Sequence, residues 1–478
     1  MLVVWIILGL IALLVAVVLI RTAAFRPKTA PAEAVEPIDF DRERAVSNLQ
    51  ALVRCKTISY VDPDLEDEAE FEKLLALLPE LFPNVFESCS LTKFPDRGIL
   101  FKWPGKSSAS PSVMMAHYDV VPVDEEYWDK PPFAGIIEDG VLWGRGTLDT
   151  KVTFNGALTS ANELIGQGFV PENDMYLAFS GQEEIGGMGA VHIVDWFEEN
   201  GITPGLVVDE GGAVVTGVFP GVDTPCGLIG IAEKGMLNLK YTVSSQGGHA
   251  SAPPPHTPVG ILAESCRRVE TNPFKAHLTA PVAKMFDTLG RHSTFLFRMI
   301  FANLWLFSGV LDLICKKSGG ELNALMRTTV AFTQMEGSQA ANVIPPTASI
   351  VSNIRLNPED TVDSALAYIK KVVDNDAVEY EISQDKNPSP ISETDCPAWD
   401  KVAGAVSDTW PGCLAAPYLM VQCSDSRHYG RISKHVYRFS AMDLTPEERK
   451  SIHGNNERIR TETIGRATEF YIRLMQKC

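Results

Sequence analysis

A short apolar run that stops at a histidine or an acid occurs three times in the first half of this chain. "SVMMA" (112–116) leads to His117, "DMYLAFS" (174–180) leads to Glu183 and Glu184, and "GLVV" (205–208) leads to Asp209 and Glu210. Between them lie "TFNGALTSANELIGQG" and "MGAVHIVDWFEENG", whose apolar residues recur every three to four positions and whose ends are marked by Gly, as in amphipathic helices. Strands alternating with helices point to a mainly parallel α/β sheet, because parallel neighbours need a crossover between them. In such a sheet ligands gather beyond the carboxyl ends of the strands. His117, Glu183, Glu184 and Asp209 are therefore expected to converge although dozens of residues separate them.

An imidazole and several carboxylates in one crevice repel as anions unless their pKa values rise or a cation neutralises them. A divalent metal is the simplest answer, and His plus carboxylate ligands without thiolates suit zinc in an open, catalytic site. Asp119, two residues beyond His117, has the position to orient that imidazole through its second nitrogen. In the acidic doublet, one carboxylate can bind metal while its neighbour takes a proton from water. Each signal alone has a plain reading, the doublet as solvated surface and the His-x-Asp pair as an ordinary polar contact. Their recurrence at strand ends favours the site.

The chain has 478 residues, 45% of them hydrophobic and 21% charged, which is enough for more than one folding unit. Its formal net charge of −18, with no basic patch, argues against nucleic acid as a partner. Nine cysteines without a CxxC pair indicate neither a zinc ribbon nor a disulfide scaffold. Leu2 to Ile20 carry no charged or polar side chain and approach the ~30 Å of a bilayer core, so residues 1–21 read as a transmembrane anchor. A cleaved signal peptide and a buried helix are the alternatives. The segment 22–38, with "TAPAEAVEP", reads as a Pro/Ala-rich stalk.

Seven separated motifs then carry a family resemblance. "AHYDVVPV", "WDKPPFAGIIEDGVLWGRGTLDTK", "SGQEEIGGMGA", "VDEGG", "GGHAS", "NVIPPTASIVSNIRLNP" and "SIHGNNE" stand in the order found in the zinc carboxypeptidase and aminoacylase-1 family of metallopeptidases, from about residue 40 to the end. The segment "NLWLFSGVLDLICKKSGGELNALMRTT" is most similar to the subgroup that holds Gly-X carboxypeptidase and N-fatty-acyl-amino-acid synthase/hydrolase. The resemblance implies two zinc ions per chain. His117 binds one, Asp149 bridges both, Asp209 completes the first ion's shell and His453 the second's, and Glu184 is a further ligand. It makes Glu183 the general base and Asp119 the support of His117. The strand and helix pattern does not mark Asp149 or His453.

The same resemblance implies a zinc-exopeptidase-like catalytic domain over 39–232 and 385–478, and an inserted α+β lid over 233–384 through which two copies form a homodimer. His249 of the lid would reach a neighbouring active site and stabilise the oxyanion. Asn342 and Arg355 would grip substrate, and Arg427 lies near the pocket. A guanidinium suits a free carboxylate because its planar fork donates two parallel hydrogen bonds, and both arginines qualify. Departures from the family pattern at Gln182 and at Cys423-Ser424-Asp425 bear on specificity. The apolar stretch 295–315 contains Arg298, Asn303 and Asp312, so it reads as a helix pair within the lid rather than a second span. A wall for acyl chains or lipid is a further reading of it.

The implied activity is hydrolysis of an amide next to the free C-terminal carboxylate of a small peptide. An N-acyl amino acid is the alternative substrate. A binding protein on an inactive scaffold is disfavoured, because every ligand and the base are present. Arg21, Arg26 and Lys28 after the span favour a cytoplasmic body, whereas the resemblance to secreted or lumenal relatives favours a single-pass protein with an extracytoplasmic body.

Overall fold

The apolar runs pair into one eight-stranded sheet. The computed structural model describes residues 1–27, 35–217 and 219–478, so part of the expected stalk lies outside the described residues. The strand order is Ser90–Lys93, Ile99–Trp103, Asn173–Ser180, Ser107–His117, Leu206–Val215, Val436–Asp443, Cys226–Glu233 and Leu414–Met420. The three runs singled out above are parallel neighbours, with Met114 opposite both Leu177 and Val208. Ile99–Trp103 pairs antiparallel with Asn173–Ser180, and Cys226–Glu233 antiparallel with the end of Leu206–Val215, so the sheet is mixed but mostly parallel.

Parallel strands are covered on both faces, which is why these runs are apolar throughout. Val113 and Val207 pack with Val194 and Phe197 of the helix Gly189–Glu199. Met114 and Val208 pack on the other side with Phe154 and Leu158 of Lys151–Gly166 and with Phe470 and Leu474 of Thr461–Gln476. Burial of such side chains contributes ~1.5–3 kcal/mol each. A one-residue slip would exchange the faces. The two cores therefore fix where His117 sits at the end of its strand.

A second sheet follows Glu233 directly. Its order is Thr329–Glu336, Thr347–Leu356, Gly235–Ser244 and Glu379–Lys386, antiparallel throughout. Leu237, Leu239, Tyr241 and Val243 alternate into a separate core under the helices Pro258–Thr271 and Val362–Val373, the period of two that one covered face requires.

The helices Ala280–Gly290, Phe295–Ala302, Leu304–Ser318 and Gly320–Met326 correct one expectation. They do not join the lid core. Met285, Phe286, Leu289 and Leu325 pack instead with Val215, Cys226, Leu228 and Tyr418 of the large sheet. The rings of Phe219, Phe286 and Phe301 meet there at centroid distances of 4.9 to 5.8 Å. Lys234 Nζ, at the junction of the two sheets, donates to the carbonyls of Ala324 and Arg327 at 2.8 Å each and ties the last of these helices down. The segment expected to form the lid thus splits: 235–271 and 329–386 build the small-sheet unit, while 280–326 pack on the large sheet. The stretch 295–317 bends by 113° at Asn303, too sharply for one straight span.

The N-terminal helix Leu2–Ala24 runs three residues past the expected end at 21 and is long and apolar enough to cross a membrane. Its last turns pack on this helical block. Asn303 Nδ2 donates to Val18 O and Thr22 Oγ1 at 3.3 Å, and Arg21 Nε donates to Ala302 O at 3.2 Å.

Candidate metal centre

Asp149 stands between two imidazoles. His117 Nε2 lies 3.1 Å from its Oδ1, and His453 Nε2 lies 3.0 Å from its Oδ2 and 3.0 Å from Glu184 Oε2. The ligand atoms of His117, Asp149 and Glu184 lie within 4.8 Å of one another, a spacing that divalent ions can fill. Local folding explains how residues so far apart meet. His117 closes its strand, and Glu184 sits in a single helical turn just beyond the next strand. Asp149 and His453 lie in loops joined when Arg458–Arg460 pairs antiparallel with Val141–Trp143.

Two buried carboxylates hold this arrangement. Asp119 accepts from the amides of Glu183 (3.1 Å) and Glu184 (3.2 Å) and from Ser59 Oγ (2.7 Å). Its carbonyl oxygen lies 3.1 Å from His117 Nδ1, and its Oδ1 3.3 Å. It lies against the His117 ring and also accepts from the backbone of the acidic doublet. Glu457 has a role that the sequence reading did not assign. Its Oε2 accepts from Arg145 Nη1 (2.6 Å) and the Gly146 amide (3.1 Å), and its Oε1 from the amides of Leu148 (2.7 Å) and Asp149 (3.3 Å). One carboxylate thereby shapes the loop that presents Asp149. Its place in the "IHGNNE" motif was the available signal.

The electrostatics ask for positive charge. Burial pushes the Glu183 carboxyl well above the usual carboxylate range; His117 opposes this, while Asp425 and Glu184 add repulsion. Glu184 and Glu210 rise mainly through burial, each with an acidic neighbour, and Asp425 is pushed up to about 7 by burial, held back in part by Ser180. Hydrogen bonds to Asp149 and Glu184 pull His453 up to about 10. For His117 burial acts downward, yet Asp119 and Asp149 carry it well above its ordinary value. Among the described residues, Glu184 Oε1 and Glu210 Oε2 are buried without a hydrogen-bond partner. Crowded acids, imidazoles pulled toward protonation and orphaned oxygens fit a divalent-metal centre.

Around the centre opens a cleft whose walls include Asp149, Glu183, Glu184, Glu210, Cys423 and His453. Asp209, like His117, lies behind the cleft surface and is buried; its Oδ2 accepts from the Ser426 amide at 3.0 Å, while the neighbouring Glu210 lines the cleft. Adjacent residues of a strand point to opposite faces, so only one of the two can line it directly. Arg355 Nη1 lies 3.6 Å from Cys423 Sγ at the cleft wall. Arg427 is turned to the Asn387 carbonyl and lies 3.6 Å from Glu233. His249 lies on Gly248–His249, which pairs with Val343–Ile344, and Asn342 immediately precedes that second strand, its carbonyl accepting from the Ala250 amide at 2.9 Å; neither lines the cleft of its own chain.

Residues 113–477 match the sequence profile of peptidase family M20/M25/M40. The N-fatty-acyl-amino acid synthase/hydrolase PM20D1 of Xenopus tropicalis is 35% identical across 98% of this chain and 93% of its own length. The probable carboxypeptidase S-like 2 of Dictyostelium discoideum is 32% identical across 98% and 92%. The solved M20 family metallo-carboxypeptidase Sso-CP2 of Sulfolobus solfataricus shares the fold, with a TM-score of 0.68 at 16% identity over 90% of this chain and 98% of that one. Sequence profile, relatives and fold agree with the metal-ready cleft, and the chain belongs to peptidase family M20/M25/M40, a family of metal-dependent peptidases and amidohydrolases.

Proposed function

We propose that the protein is a two-zinc amidohydrolase of carboxypeptidase type that cleaves an amide next to a free carboxylate. The observation that carries this is Asp149, which offers one oxygen toward His117 and the other toward His453 and so suits a carboxylate shared by two ions. A donor set of imidazoles and carboxylates without thiolate suits catalytic zinc. His117, Asp149 and the Asp209–Glu210 pair would hold one ion, and His453, Glu184 and Asp149 the other. When bound, the ions lower the pKa of water and polarise the scissile carbonyl.

The chain's own residues do the rest. Glu183 faces the cleft, takes a proton from the attacking water and returns it to the leaving nitrogen. Asp119 keeps Glu183 and His117 in register. Arg355, beside the Cys423 wall, is placed to receive the substrate carboxylate. His249 and Asn342 are assigned to the cleft of a second copy in a dimer joined through the lid, where His249 stabilises the oxyanion. An N-acyl amino acid is the second reading, favoured by the PM20D1 relative at 35% identity. The test is amino-acid release by metal-loaded and chelator-treated protein from Gly-Leu and from N-acyl-leucines. Metal-dependent release from either class supports the hydrolase, and release from neither refutes it.

The helix Leu2–Ala24 is assigned as a retained single-pass anchor, supported by its matched contacts with Ala302 and Asn303. The body is placed on the extracytoplasmic side. Arg21 already serves the Ala302 carbonyl and Arg26 the Ala23 carbonyl, so these charges have uses besides orientation. Protease added to intact cells should digest the body. Protection until detergent is added refutes this placement.

A further inference from the structure

Val215, Leu228, Glu321 and Tyr418 form a wall shared by two cavities. On one side is the metal cleft. On the other is a small apolar cavity between the large sheet and the helical block, roofed by Met285, Leu289, Leu322 and Leu325. Its walls are almost wholly hydrocarbon. Their carboxylate, Glu321, sits at the seam and is already engaged, accepting from Tyr418 Oη at 2.8 Å and pairing with Arg449 at 3.0 Å. A peptide continuing from the cleft into this space would bring amide N–H and C=O groups with no free partners, which is costly in an apolar cavity. A hydrocarbon tail carries no such groups. Unfilled apolar space forfeits packing contacts, so a tail that fills it is favoured. The far side of the cavity leads toward the apolar helix: Phe219 in its wall stacks on Phe301 at 4.9 Å, and Asn303 just beyond bonds Val18 of Leu2–Ala24.

We infer that this second cavity is an acyl-tail slot: the amide of an N-acyl amino acid lies at the metal cleft, and its hydrocarbon chain passes Tyr418 to lie beneath Met285, Leu289 and Leu322. The inference rests on the N-acyl reading given above. It makes the helices 280–326, which pack on the main sheet and not in the lid, the specificity element of the enzyme. Each methylene that enters the slot is worth about four-fold in kcat/KM.

The test uses full-length, metal-loaded protein in phosphatidylcholine nanodiscs with N-acetyl-, N-octanoyl- and N-hexadecanoyl-leucine. In the unmodified protein kcat/KM should rise at least 100-fold from acetyl to octanoyl. Leu322→Trp, at a half-buried roof position, should lower kcat/KM for the hexadecanoyl substrate at least ten-fold and change N-acetyl-leucine less than two-fold. Met285→Ala, which enlarges the slot, should shift the preference toward longer chains. Comparing variants on one substrate cancels its partition into lipid. A flat chain-length profile in the unmodified protein overturns the slot but leaves the hydrolase standing, provided N-acetyl-leucine or Gly-Leu is cleaved in a chelator-sensitive way. Equal changes at all chain lengths in both variants also overturn it. Absence of hydrolysis from every substrate sinks the hydrolase reading itself.

Discussion

Glu183→Gln is expected to lower kcat by about 10³-fold, within the range of 10²–10⁴ for loss of a general base, while the protein keeps its metal. The amide preserves the size of the side chain, and the backbone amide of residue 183 still donates to Asp119. The loss therefore falls on the proton acceptor alone. Glu183 is not in the His117, Asp149 and Glu184 cluster, so metal content should be unchanged. Steady-state hydrolysis paired with metal analysis separates the two effects. A native rate in the variant removes Glu183 from the role of base.

Glu457→Gln is expected to destabilise the fold by about 3–5 kcal/mol, the usual cost of removing one partner from a buried ion pair. Arg145 and Glu457 are both buried, and the pair lies at 2.6 Å. Both Glu457 oxygens accept from the 145–149 loop, so an amide group would turn a donor toward donors. The loop would move, and Asp149 with it. Urea-unfolding midpoints should show the loss. Replacing both residues, Arg145→Met with Glu457→Gln, should cost less than Glu457→Gln alone, because no buried charge is left uncompensated and one oxygen still accepts from the loop amides. A single variant within 0.5 kcal/mol of the unmodified protein would mean that the pair does not hold the loop.

Half of the site is legible in the amino-acid pattern itself. His117, Glu183 and Glu184 end apolar strands or follow them directly, and parallel strands side by side leave their ends no other place to go. Asp149 and His453 lack that signal. They lie on irregular loops, His453 at φ +57, and what joins the loops is a three-residue strand pairing without apolar periodicity. Only the motif resemblance points to them. Glu457 likewise had only its place in the motif to mark it: most of its partners are backbone amides, which leave no trace in side-chain spacing. The choice between Asp209 and Glu210 turns on which neighbour faces the cleft, and adjacent acids carry no information on that.

The resemblance alone pointed to an inserted unit over 233–384, and the helices over 280–326 pack outside its small-sheet core. Their amphipathic faces say that something apolar covers them. They do not say which sheet does so. The resemblance put them within the lid, whereas Met285, Phe286 and Leu289 pack with apolar residues of Cys226–Glu233 and Leu414–Met420.

Metal content tests most directly whether Asp149 joins two ions. Full-length protein loaded with zinc and dialysed free of excess should hold two ions per chain by mass spectrometry of the acid-digested sample, and Asp149→Ala should fall below one, because both shells lose a ligand together. One ion per chain at full activity, or two ions retained by Asp149→Ala, contradicts a centre built on a shared Asp149.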